Sequence, residues 1–321
     1  LAAANANALG AGDLTLQNDA ILRADTAVAY SGAITLDTAG TIDTQANDVT
    51  LSGKTTGGSL TKLGDGVLTL SDGSSDYSGG TTVQAGVLAL GASGAAGSGT
   101  ITLADQAELR ATTSIAVANA IDLLGTGVIA INSNDVSVTG KISGDGIIKT
   151  GSGTLTLSNS SNDFEGGVLV TDGTLAVVNS GAAGTGTIDL TDDTTLRADN
   201  NLSLSNALTL TGTTHVDTQS NDLSVSGVAS GTGKLVKKGT GTFTLSGSNT
   251  YTGGTQVDAG TLALRASSSA GMGDITLGAD TSLQANDSIT LSNNVVLTGE
   301  NSANRTVNTN SFDVTVNGDL S

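Results

Sequence analysis

The sequence predicts an all-β fold, a right-handed single-stranded parallel β-helix, and three observations carry that prediction. The chain repeats itself every 87 residues. Each repeat is filled with runs of three to five residues that alternate apolar and polar, such as VLTL, VLAL, ITL, VIAI and DVSV. Gly, Asn, Asp and Ser separate these runs every 6 to 13 residues or so. Alternation over such a short run marks a strand with one buried face, and a long fixed period marks a solenoid or an array.

The repeat is legible in fixed landmarks. Leu-Arg-Ala stands at 22–24, 109–111 and 196–198, and Leu-Gln-Ala at 283–285, each step being 87 residues. Leu16, Leu103, Leu190 and Leu277 keep the same step, as do Tyr77, Phe164 and Tyr251. One residue fewer precedes Tyr251, and a four-residue insertion falls near Glu300–Arg305. The 321 residues divide into a partial unit at about 1–57 and units at 58–144, 145–231 and 232–321, read as one continuous β-helix. Leu1 aligns with Leu88, so the chain is expected to be a piece of a longer repetitive protein.

Roughly twelve short strands per unit suggest about four coils of about 22 residues, with identical faces of successive coils stacked at about 4.8 Å. The Ala-rich start, LAAANANALG, is the one helix-like stretch, yet it aligns with LALGASGAAG and is read as strand and loop. Composition agrees. Aromatic residues are 2% of the chain, so Leu, Ile and Val must fill a narrow interior; Gly is abundant at 45 and Pro, which would remove a ladder donor, is absent. A propeller fits worse, because 87 residues are too many for one blade.

Charge and cysteine usage exclude several function classes. With no Cys there is neither a disulfide framework nor thiol chemistry. The net charge of −18 repels nucleic acid and anionic lipid, and Lys237 and Lys238 are the only adjacent basic pair. Of 30 acidic residues only Glu108, Glu165 and Glu300 are Glu; the rest are Asp, a turn former. No stretch of 18 apolar residues occurs.

Three stretches carry a shared motif: GSLTKLGDGVLTLSDGSSDYSGGTTVQAGVLAL (58–90), GIIKTGSGTLTLSNSSNDFEGGVLVTDGTLAV (146–177) and GKLVKKGTGTFTLSGSNTYTGGTQVDAGTLAL (233–264). They resemble the passenger-associated transport repeat of bacterial autotransporters. The motif runs from a Lys-x-Gly-x-Gly turn (Gly64 and Gly66, Gly151 and Gly153, Gly239 and Gly241) through Leu-Thr-Leu. It continues to a Tyr-x-Gly-Gly-Thr corner (Tyr77 and Gly79, Phe164 and Gly166, Tyr251 and Gly253) and a Gly-x-Leu strand (Gly86, Gly173, Gly260). The second copy departs from it, with Phe164 for Tyr and Val168 for Thr. The resemblance implies a secreted passenger on a Gram-negative cell surface, a β-helical stalk, and a translocator barrel in the outer membrane elsewhere in the full-length protein. It leaves open a host-cell, matrix or glycan receptor and self-association into a filament, and it calls for no cofactor and no nucleic acid.

Candidate catalytic groups weigh toward structural roles, so the chain is read as a non-enzyme. Asp48, Asp135 and Asp222 recur with the repeat, whereas an active site is normally unique; they are expected to serve turns. Asp192 and Asp193 are adjacent and would face opposite sides of a strand. His215, the only His, has Thr41 and Val128 as equivalents and is expected at a solvated edge. Gly-Asp-Gly at 64–66 and 144–146 lacks the sustained nonapeptide of a calcium-binding roll. Lys62 and Lys149 stand two residues before Gly64 and Gly151, and Lys238 directly precedes Gly239. These lysines are expected to lay their stems on apolar surface and meet nearby Asp charge. Tyr77, Phe164 and Tyr251 are expected to plug gaps left by the corner glycines.

Overall fold

The computed structural model describes residues 1–298 and 304–321; Glu300 and its neighbours 299–303 in the insertion lie outside the described residues. Among the described residues there is no helix, and every strand pair in the ladders is parallel, which makes the fold a parallel β-solenoid. The Ala-rich start forms a two-residue strand, Ala2–Ala3, followed by turns, as its alignment predicts. The chain forms two compact units, Leu1–Gly166 and Gly167–Ser321.

In the first unit the chain visits three sheets in rotation. One coil consists of Ile101–Leu103, Glu108–Ala111 and Ile115–Val117. The next consists of Ile121–Leu123, Gly127–Ala130 and Val136–Val138, each strand pairing with its counterpart in the coil before. The second unit repeats the plan, with one coil made of Ile188–Leu190, Thr195–Ala198 and Leu202–Leu204. Its successor is Leu208–Leu210, Thr213–Asp217 and Leu223–Val225.

Side chains alternate in and out along every strand, so one column of each sheet faces the interior. In the first unit Leu68, Leu88, Leu109 and Ile129 lie in register and are 0–3% exposed, while Thr69, Ala89 and Arg110 form the neighbouring column. Aliphatic side chains fill most of this narrow core, and Tyr30, Tyr77 and Phe164 are its buried rings in the first unit. Burying each aliphatic side chain is worth about 1.5–3 kcal/mol.

The register refines the expected coil count. Residues paired across the ladders are typically 19 to 21 apart: Val67 faces Val87, Val87 faces Glu108, Glu108 faces Val128 and Val128 faces Ile148. Four coils therefore take 81 residues at this face, and the remaining six of the 87 carry the chain one face further. Each repeat spans four and a third coils. Equivalent strands accordingly do not share a sheet. In the first unit Val67–Leu70 sits in the sheet that also holds Ile147–Thr150, whereas its equivalent Thr154–Leu157 sits in the next. In the second unit Val168–Val170 and its equivalent Thr255–Val257 also fall in successive sheets. Near the C-terminus the partners are 24 and 25 residues apart, Thr281 with Arg305 and Ile289 with Val314, which is the four-residue insertion read out as register.

The fractional coil is testable with spin labels on introduced cysteines, since the chain has none of its own. Thr69 and Thr150 lie on one sheet four strands apart, so their labels are expected at a distance near 19 Å. The sequence-equivalent pair Thr69 and Thr156, on different sheets, is expected to read longer. The opposite order of the two distances would mean four whole coils per repeat.

Candidate functional site: the repeat corners

The turn after the first motif strand places a left-handed residue at Gly64, with φ of +80°, and equivalent values occur at Gly151 and Gly239. A side chain is excluded here by conformation. At Gly66 it is excluded by space, because a Cβ would run into the carbonyl of Asn47 on the preceding coil, as it would at Gly153 with Asn134 and Gly241 with Asn221. The Lys-x-Gly-x-Gly motif is therefore a coil-stacking device: it lets backbone lie directly on backbone.

The lysines are placed differently from expectation. Lys62, Lys149 and Lys237 are 0% exposed, so their stems do not cover outer surface. The third member is Lys237, two residues before Gly239, and not Lys238, which is exposed. Lys62 Nζ lies 2.6 Å from Gly64 O, 3.0 Å from Ala85 O, 3.2 Å from Leu63 O and 3.0 Å from Thr44 Oγ1. Lys237 Nζ reaches Gly239 O at 2.7 Å, Lys238 O at 2.8 Å, Ala259 O at 3.1 Å and Thr218 Oγ1 at 3.0 Å. Lys149 donates to Gly151 O. The Lys62 and Lys237 ammonium groups thus each tie three successive coils together. Burying each one costs several kcal/mol, which charge-assisted bonds to inward carbonyls offset. Burial pushes Lys62 and Lys237 down to about 8, against the pull of Asp65 and Asp43 on Lys62 and of Asp217 and Asp222 on Lys237.

Tyr77, Phe164 and Tyr251 are 0% exposed. The Tyr77 ring packs under Gly97, where an added Cβ would sit 2.9 Å from ring Cδ1, and Tyr251 packs likewise under Gly271. Tyr77 Oη lies 2.7 Å from Thr81 Oγ1, and Tyr251 Oη 2.5 Å from Thr255 Oγ1. In the second copy Phe164 loses the hydroxyl and Val168 loses its partner, so no polar atom is stranded. Burial pushes the Tyr77 phenol up to about 12 and raises that of Tyr251 as well.

Several buried amides escaped the sequence reading. Asn119, Asn206 and Asn293, again 87 residues apart, each donate through Nδ2 to two carbonyls of the preceding coil; for Asn119 these are Gly97 O at 3.1 Å and Gly99 O at 2.7 Å. Asn162 and Asn249 accept the N–H groups of Ile142 and Ala229, both at 2.7 Å. Their recurrence at 87-residue steps was the available signal, although Gly32 and Ser75 stand at the first equivalent positions. Asp48, Asp135 and Asp222 also act between coils, accepting the N–H of Val67, Thr154 and Thr242.

The remaining candidates do not assemble a reaction centre. Asp192 and Asp193 lie in a turn rather than a strand, and Asp192 Oδ1 accepts the Thr213 N–H at 2.6 Å. His215 is mostly buried on the outer side of its strand, with Nε2 3.7 Å from Asp193 Oδ1; burial, then Lys238, lower its pKa. Among the described residues no three His, Cys, Asp or Glu side chains cluster as a metal site would require.

The fold and its corners define a repeat-built β-solenoid in which the same interior staple recurs once per repeat, at steps of 87 and 88 residues. The passenger-associated-transport-repeat matches at residues 60–90, 147–177 and 235–264, the stretches that hold the lysine staples and aromatic plugs. The chain is 34% identical over 290 residues to the adhesin BmaC autotransporter of Brucella suis biovar 1 (strain 1330). That similarity covers 79% of this chain and 8% of the relative's length. No solved structure matches. The chain belongs to the autotransporter passengers that carry this repeat.

Two outcomes follow from the corners. Between about pH 8 and the ordinary lysine range near 10.4, the unfolded chain holds protons that Lys62 and Lys237 have lost, so stability should rise with pH. Above about 10 the sign reverses, because tyrosines ionise in the unfolded chain while Tyr77 and Tyr251 resist. Urea midpoints of the wild type should therefore climb and then fall, and the climb should be clearly smaller in Lys62→Met/Lys237→Met. Separately, Tyr77→Phe alone should cost about 1 kcal/mol, and adding Thr81→Val should recover most of it, as the Phe164–Val168 pair implies.

Proposed function

We propose that this chain is a structural segment of a surface-exposed autotransporter passenger, a β-helical stalk that holds other parts of the protein away from the cell and supports attachment. The observation that carries this reading is the coincidence of the three family matches with the corners that staple coil to coil. The recurrent chemistry of each repeat serves stacking. The role is mechanical: backbone ladders and a filled interior resist bending, and repeat number sets reach. In this reading no catalytic step falls to these residues, and the relative is likewise described as an adhesin. A translocator barrel in the outer membrane and a host-side receptor are partners of the full-length protein under the same proposal. Self-assembly into a filament is the alternative, and it draws on no feature of the corners.

Removing residues 58–144 from the full-length protein tests the proposal. The graft joins equivalent corners, so the protein should still reach the cell surface. Its projection, measured by electron microscopy, should shorten by about 21 Å, the height of four and a third coils. Loss of surface display, or an unchanged projection, would reject the stalk.

A further inference from the structure

The three repeats provide an internal comparison, and the third departs from the others at one outer corner. Lys54 and Asp76 in the first copy, and Lys141 and Asp163 in the second, form ion pairs of 2.7 and 2.6 Å at this corner. The third copy has Val228 and Thr250 in their places. Ser98 and Thr185 are replaced by Met272, and Gly94 and Gly181 by Ser268. Val228 is 44% and Met272 67% exposed. Within the unit Gly167–Ser321 an open groove of about 540 Å³ lies at this corner, in the size range of small-molecule sites.

Its chemistry is unlike the rest of the surface. No charged residue lines it, although the chain carries a net charge of −18. Met272 supplies a flexible, polarisable apolar wall. Ser248, Thr250, Ser268, Thr290 and Ser292 also line it, and none of their hydroxyls has a protein hydrogen-bond partner among the described residues. Each hydroxyl can both donate and accept.

We propose that this groove binds a neutral, hydroxyl-rich saccharide. Loss of the acid and the base together removes any handle for a charged ligand. Free hydroxyls match sugar hydroxyls, and the Met272 wall matches the C–H face of a pyranose. A second copy of the chain is a poorer occupant, because two surfaces of charge −18 repel. The proposal rests on the surface-exposed reading above, which is what brings the groove to external glycans.

The test uses the full chain and a panel of neutral hexose and N-acetylhexosamine trimers, with uronate and sialylated counterparts, followed by saturation-transfer NMR and calorimetry. At least one neutral trimer should bind saturably with a Kd of about 0.1–1 mM. Met272→Thr should weaken it about fivefold or more. Val228→Lys/Thr250→Asp/Met272→Thr, which rebuilds the corner residues of the second copy, should abolish binding with an unchanged unfolding temperature. Absence of saturable binding up to about 10 mM, preference for the charged sugars, or binding unchanged in the triple variant would overturn the proposal. So would a Met272→Thr variant that alters sedimentation of the chain alone, which would make the groove a contact between copies. Surface projection of the full-length protein is read separately, so failure of the groove is distinguishable from failure of the stalk.

Discussion

Backbone hydrogen bonding between coils is the constraint on which the rest of this structure depends. Strands of three or four residues have no stability alone. They persist because each N–H and C=O finds a partner about 20 residues away, in the coil above or below. The difficulty lies at the corners, where the chain bends and the ladder lapses, leaving inward carbonyls that water cannot reach. An unpaired buried carbonyl costs about 1–3 kcal/mol, so every corner needs a donor. Lys62, Lys237 and the Asn119 series are those donors.

This explains an apparent contradiction in composition. A chain with few basic residues places three of its lysines inside, where charge is most expensive. A lysine has three donors on a long stem, which one amide cannot match, and it reaches carbonyls on two coils and the Thr44 hydroxyl on a third. Glycine makes the arrangement feasible by letting Gly66 lie against the Asn47 carbonyl. The aromatic plug fills the volume that the glycine corner leaves, and its Tyr–Thr or Phe–Val pairing keeps the polar count balanced. Lysine, glycine and tyrosine are thus parts of one corner.

The mismatch between repeat and coil has a functional side. Four and a third coils per repeat turn each copy one face onward, so corner features such as the Lys54–Asp76 and Lys141–Asp163 pairs recur with rotation as well as rise. Under the stalk proposal, a change of one repeat alters the direction in which distal parts face as well as their reach, and a change of three restores direction.

The sequence by itself determined the fold class, the 87-residue unit and the plug residues Tyr77, Phe164 and Tyr251, because alternation and recurrence follow directly from which side chains must be inside. It also identified the family, through turn and corner residues that backbone geometry makes hard to replace. The tertiary structure alone decided the position of the lysines and the buried asparagines. A Lys beside Asp residues reads as surface, and only the stacking of coils reveals that the carbonyls needing a donor face inward. It likewise decided the third of a coil in each repeat, since register is set by how many residues each corner consumes, and three-residue strands do not announce their partners. The charge-free corner at Val228, Thr250 and Met272 became visible only by comparison with the ion pairs that stand at the equivalent corners.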